Sequence, residues 1–134
     1  MFFEVGIKKT IIDNKGRDKK VVEKLIVENC EFFAEAEAKA LTEYNSECDV
    51  VAMKISNLKE FVNSREDAED DIYFSAIESL YTDENGEESA VKYNVAVFAN
   101  SIEDAQTLTK EYMKQGLDDM SLVCIKKTKF IDLI

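Results

Sequence analysis

The chain has 134 residues, a length that suits one domain or two very small ones, and its apolar fraction of 46% is enough to build a core. Its 28 Asp and Glu against 17 Lys and Arg give a net charge of −11, and it contains no His, Pro or Trp. Without His there is no His-dependent base or nucleophile and no His-containing metal site, and this balance of apolar and charged residues argues against a disordered or membrane-spanning chain.

The first eight residues carry no basic region ahead of a long apolar run, so no secretory leader is expected and the cytoplasm is the expected location. Period-two alternation over residues 3–12 and again over 21–27 predicts two half-buried strands. Asp13-Asn14-Lys15-Gly16 between them is a turn signal, with Asn14 to Gly16 expected to supply positive φ. A helix is predicted from Phe33 to about Tyr44, with Ala36, Ala40, Leu41 and Tyr44 as its apolar stripe. A third strand follows over 49–56, then a short helical turn closed by Leu58, Phe61 and Val62, then a polar, acidic connector.

The same order then recurs. Asp83-Glu84-Asn85-Gly86 lies 70 residues after the first turn, and that shift places Phe3, Val5 and Ile7 on Tyr73, Ser75 and Ile77. Val21, Leu25 and Val27 fall on Val91, Val95 and Val97. A second helix is predicted from an N-cap at Ser101 to a left-handed cap at Gly116, and a last strand over 121–127. The expected fold is α+β: two repeated ββαβ units, antiparallel sheet with helices, sharing one core in a single compact domain. The units are expected at 1–62 and 72–134, joined by an acidic connector at 63–71.

Chemistry-bearing motifs are scarce. Cys30, Cys48 and Cys124 are odd in number and lack CxxC spacing, so each is expected to be a small, reduced, buried apolar residue. No phosphate-binding glycine loop or calcium-loop pattern occurs, and the pairs Asp70-Asp71 and Asp118-Asp119 are expected in exposed loops. No catalysis, metal, cofactor, membrane or small-molecule substrate is expected. Charge is unevenly spread: residues 1–62 hold 10 basic and 12 acidic groups, and residues 63–134 hold 7 and 16. The first hairpin carries Lys8, Lys9, Lys15, Arg17, Lys19, Lys20 and Lys24 against Asp13, Asp18 and Glu23, a local +4. The second carries Glu78, Asp83, Glu84, Glu87 and Glu88 against Lys92, a local −4.

Two binding modes follow from that contrast. Single-stranded nucleic acid would be held by Lys8, Lys9, Lys15, Arg17, Lys19 and Lys20, joined by Lys126, Lys127 and Lys129. Phe2, Phe3, Tyr73, Tyr81, Tyr93 and Phe98 are the aromatic residues available for stacking on bases. The alternative is a protein-interaction module that uses Asp83, Glu84, Glu87 and Glu88 to bind itself or a host protein, or to mimic nucleic-acid charge.

The stretches Phe2-Phe3-Glu4-Val5, Phe33-Ala34-Glu35-Ala36-Glu37-Ala38, Val91-Lys92-Tyr93-Asn94-Val95 and Thr128-Lys129-Phe130-Ile131-Asp132-Leu133-Ile134 are similar to a family of short proteins. It is a domain-of-unknown-function family from Bacteroidota and their phages and mobile elements. The resemblance implies a role in phage or mobile-element biology, where many such proteins lie near replication genes, and it transfers no functional residue.

Overall fold

The computed structural model describes residues 1–116 and 119–134, as eight strands in two four-stranded sheets with two helices. Asp118, assigned above to an exposed loop, lies outside the described residues. Two units divide the chain: residues 1–56 with 129–134, and residues 57–128.

In the first unit, β1 (Phe3–Ile12) and β2 (Asp18–Val27) form an antiparallel hairpin, α1 (Phe33–Glu43) follows, and β3 (Asp49–Ile55) returns antiparallel to β1. The alternation of β1 turns Phe3, Val5 and Ile7 to one side, where they pack with Val27, Cys30, Ala36 and Ala40. Alanines at the helix contact let α1 lie close on the sheet. The fourth strand of this sheet is β8 (Phe130–Leu133), parallel to the outer edge of β2, in the order β3-β1-β2-β8.

The second unit uses β5 (Asp71–Thr82), β6 (Glu88–Ala99), α2 (Ile102–Lys114) and β7 (Asp119–Lys127) in the same way, with β5 between β6 and β7. Ser101 caps α2 as its sequence predicts, its hydroxyl accepting from the Asp104 amide at 3.1 Å. Tyr73, Val97, Ala99 and Ala105 form its core beneath the helix. Its fourth strand is β4 (Leu58–Phe61), parallel to β6.

Each sheet is therefore mixed, not purely antiparallel, because each takes a short parallel strand at one edge. Leu58 and Phe61 form part of that strand instead of a helical turn. Leu58 is buried, and the segment continues along β6: the Val62 amide donates to the Ala96 carbonyl at 2.8 Å. Asn63 then both donates to the Phe98 carbonyl and accepts from its amide. Gly116 does not take the left-handed conformation expected of it; Gln115 is the αR cap of α2. A β-carbon on Gly116 would stand 2.5 Å from the Met120 Cε, the far end of a flexible side chain that can move aside. Asp71 and Asp119 open strands β5 and β7 and are not loop residues. Among the described residues no helix is long and apolar enough to cross a membrane.

Candidate nucleic-acid interface

Both hairpins close through the same five-residue connection, residues 13–17 and 83–87, in which the first residue's amide donates to the last residue's carbonyl at 2.9 Å. The Asp13 carboxylate accepts from the Lys15 and Arg17 amides at 2.8 and 2.9 Å, and Asp83 accepts from the Asn85 and Glu87 amides at 2.9 Å each. Gly16 and Gly86 alone supply positive φ, at 75° and 77°; Asn14 and Asn85 do not. The amide of Arg17 above all holds the Asp13 carboxyl below its ordinary pKa; burial opposes this, and the Lys15 amide and the Arg17 side chain add to the lowering. Asp83 is thereby a turn-former first, while Glu84, Glu87 and Glu88 are exposed around it.

Pairing of β1 with β3 ends at Lys8↔Asp49, and pairing of β2 with β8 begins at Lys24↔Phe130. The rest of the hairpin is a two-stranded ribbon. Its register sorts the lysines that sequence had grouped. Lys8 lies opposite Val22, and Lys20 opposite Thr10, on the face away from α1; Lys9 and Lys19 lie on the α1 side.

The cations differ in availability too. Lys9 is 2.6 Å from the Glu23 carboxylate and 5.4 Å from the centre of the Tyr44 ring, while the Tyr44 hydroxyl donates to the other Glu23 oxygen at 2.5 Å. Arg17 is paired with Asp13 at 3.3 Å. Lys8, Lys15, Lys19, Lys20 and Lys24 are exposed, and none of them forms an ion pair among the described residues. Lys8 and Lys20 also line a cleft of about 190 Å³ whose other wall includes Glu47 and Asp49.

In the Lys9–Glu23–Tyr44 cluster burial pushes the Glu23 carboxyl up, but the hydrogen bonds from Lys9 and Tyr44 and the Lys9 charge outweigh it and hold the pKa low. Burial first, and then the Glu23 carboxylate, raises the Tyr44 phenol well above its usual range. A carboxyl depressed on folding contributes stability that is fully present above its unfolded pKa and lost as pH falls through the folded one. Glu23→Gln is accordingly expected to lose less stability than wild type between pH 7 and about pH 3. Urea titrations at the two pH values check this, and equal losses in both proteins would count against it.

The remaining predicted positions scatter. Lys126 and Lys127 lie on β7 of the second unit, where Lys127 pairs with Asp71 at 3.1 Å; Lys129 belongs to the first unit, beside β8. Phe3, Tyr73 and Phe98 are buried and cannot stack on bases. Tyr93 carries Lys59 4.4 Å from its ring centre, and Tyr81 is exposed on the acidic hairpin. Of the cysteines only Cys30 is buried; Cys48 is half-buried and Cys124 exposed. Among the described residues no three Cys, Asp or Glu side chains gather as a metal-binding group.

Sequence reading missed a groove in the first unit where Lys24, Lys54 and Phe130 converge, about 280 Å³ in volume. Lys54 and Phe130 come from distant strands, and only the sheet register brings them to Lys24. Geometry defines a two-unit α+β protein with one basic and one acidic ribbon. The chain belongs to the family DUF4494, a domain of unknown function whose model matches residues 1–134. No curated protein and no solved structure matches it.

Proposed function

We propose that the chain is a non-catalytic binding protein that holds single-stranded nucleic acid on the β1–β2 ribbon. The observation that carries this reading is the set of five exposed lysines, Lys8, Lys15, Lys19, Lys20 and Lys24, that form no ion pair among the described residues and lie on and at the base of a two-stranded ribbon. A net charge of −11 opposes polyanions at long range, so contact is local and depends on salt. Anisotropy of a labelled oligonucleotide tests it. Affinity should fall with salt with a log–log slope of at most about −3.5, the value for five phosphates on a single strand. Lys19→Glu/Lys20→Glu should weaken binding roughly tenfold or more and flatten the slope by about 1.4. No binding at about 50 mM salt, or an unaffected variant, would overturn the reading.

A second reading rests on the other ribbon. Leu80, Tyr81 and Val91 are exposed there beside Glu84, Glu87 and Glu88, a mixture of apolar and acidic groups suited to a protein partner. Binding of a host protein, and not of nucleic acid, by a chain that loses it on Tyr81→Ala would favour this alternative.

The proposal also includes internal duplication. Its support is the matching element order of the two sheets, each with a parallel fourth strand at the same place. Failure of the two units to superimpose strand for strand would dispose of it. A cytoplasmic protein of Bacteroidota, their phages or mobile elements is the source implied by the resemblance.

A further inference from the structure

The face of the first sheet turned away from α1 is set by the register. Glu4 pairs with Lys54, Gly6 with both Ala52 and Lys24, and Lys24 with Phe130. These six residues line the groove of about 280 Å³. Its floor is small because Gly6 and Ala52 are neighbours. A β-carbon on Gly6 would make only an ordinary 3.5 Å contact with the Ala52 Cβ, so neither sterics nor positive φ demands glycine there. The missing side chain leaves the hollow. Lys24 and Lys54 are exposed at its sides, and Lys54 reaches the mostly buried Glu4 carboxylate only loosely, at 3.8 Å.

The corresponding place in the second sheet holds Phe74 paired with Lys126, Ala76 paired with Asn94 and Cys124, and Leu58 paired with Asn94. Phe74 stands there for Glu4, Asn94 for Lys24 and Leu58 for Phe130. The backbone pattern therefore requires neither a carboxylate nor a second cation, and these belong to the first sheet alone; the aromatic stands on a different strand, Phe130 on β8 in the first sheet and Phe74 on β5 in the second.

We propose that this groove holds one nucleotide. The base lies over the Gly6–Ala52 floor against Phe130, Glu4 accepts from an amino or hydroxyl group, and Lys24 and Lys54 meet the phosphate. Lys24 is also the base of the basic ribbon, so a strand lying on the ribbon would deliver a nucleotide here. The inference thus deepens, and rests on, the nucleic-acid reading.

Full-length protein is titrated with an oligonucleotide, with an abasic strand of the same length and with adenosine monophosphate. Wild type should prefer the base-bearing strand over the abasic one by roughly fivefold or more, the range for a stacked base. Gly6→Val, which fills the floor, and Phe130→Ala should abolish that preference and leave abasic binding unchanged. Gly6→Ala is the milder test should valine disturb the strand. Lys19→Glu/Lys20→Glu should weaken both strands alike. Equal binding of the two strands by wild type overturns the groove and leaves the ribbon reading standing. Binding of the monophosphate, lost in Gly6→Val, with no strand bound supports the groove as a free-nucleotide site and overturns the ribbon. Binding of none of the three overturns both.

Discussion

Removing residues 130–134 is expected to destabilise the first unit by about 3 kcal/mol or more while the second keeps its stability. The segment lies next in sequence to β7, yet β8 pairs with β2: Phe130 with Lys24, Asp132 with Leu25 and Leu133 with Ile26. Ile134 donates its amide to the Ile26 carbonyl and accepts from the Glu28 amide, each at 2.9 Å, and its side chain packs on the core around Phe3 and Val5. Loss of these bonds, at about 1 kcal/mol each, and of two half-buried aliphatic side chains accounts for the magnitude. Hydrogen exchange locates the effect. Amides of β1 and β2 should lose protection and those of β5 and β6 should keep it. Loss confined to β5–β7, or spread evenly, would contradict the strand placement.

Thr109→Val is expected to cost about 1–3 kcal/mol although it preserves shape. The Thr109 hydroxyl donates to the Ala105 carbonyl at 2.8 Å, so Ser75, 2.8 Å from it, must be the donor of that second bond. Both hydroxyls are fully buried, and valine would leave the Ser75 donor with no acceptor there. At the corresponding place in the first unit, Val5 and Ala40 are both buried in one apolar cluster. Transplanting that pair as Ser75→Val/Thr109→Ala should restore stability to within about 1 kcal/mol of wild type, because both polar groups leave together. Urea unfolding of the single and double variants provides the check. A double variant as unstable as Thr109→Val would show that packing, not the hydrogen bond, sets the cost.

Local signals were legible in the sequence. Asp13 with Gly16, and Asp83 with Gly86, mark their turns through short-range hydrogen bonds, and Ser101 marks its helix start for the same reason. β4 was not legible. Four residues from Leu58 to Phe61 have no period of their own and are strand only because β6 lies beside them. The candidate interface was half legible. Charge count found the basic ribbon, and period two separates Lys8 and Lys20 from Lys9 and Lys19 once the turn fixes the register. Neutralisation of Lys9 was hidden, since Glu23 is its neighbour only through pairing and Tyr44 through the packing of α1. The groove was beyond reach, as Phe130 arrives from the far end of the chain.

The exchange of end strands also sets an order of completion during synthesis. The second unit is one uninterrupted stretch, residues 57–128, whose four strands all leave the ribosome before residue 129. The first unit begins earlier but lacks β8 until the second has been made. During that interval the outer edge of β2 has no pairing partner, and it carries Lys19, Lys20 and Lys24, the residue type that discourages an open edge from pairing with another chain. The half that is made first is the half that is finished last.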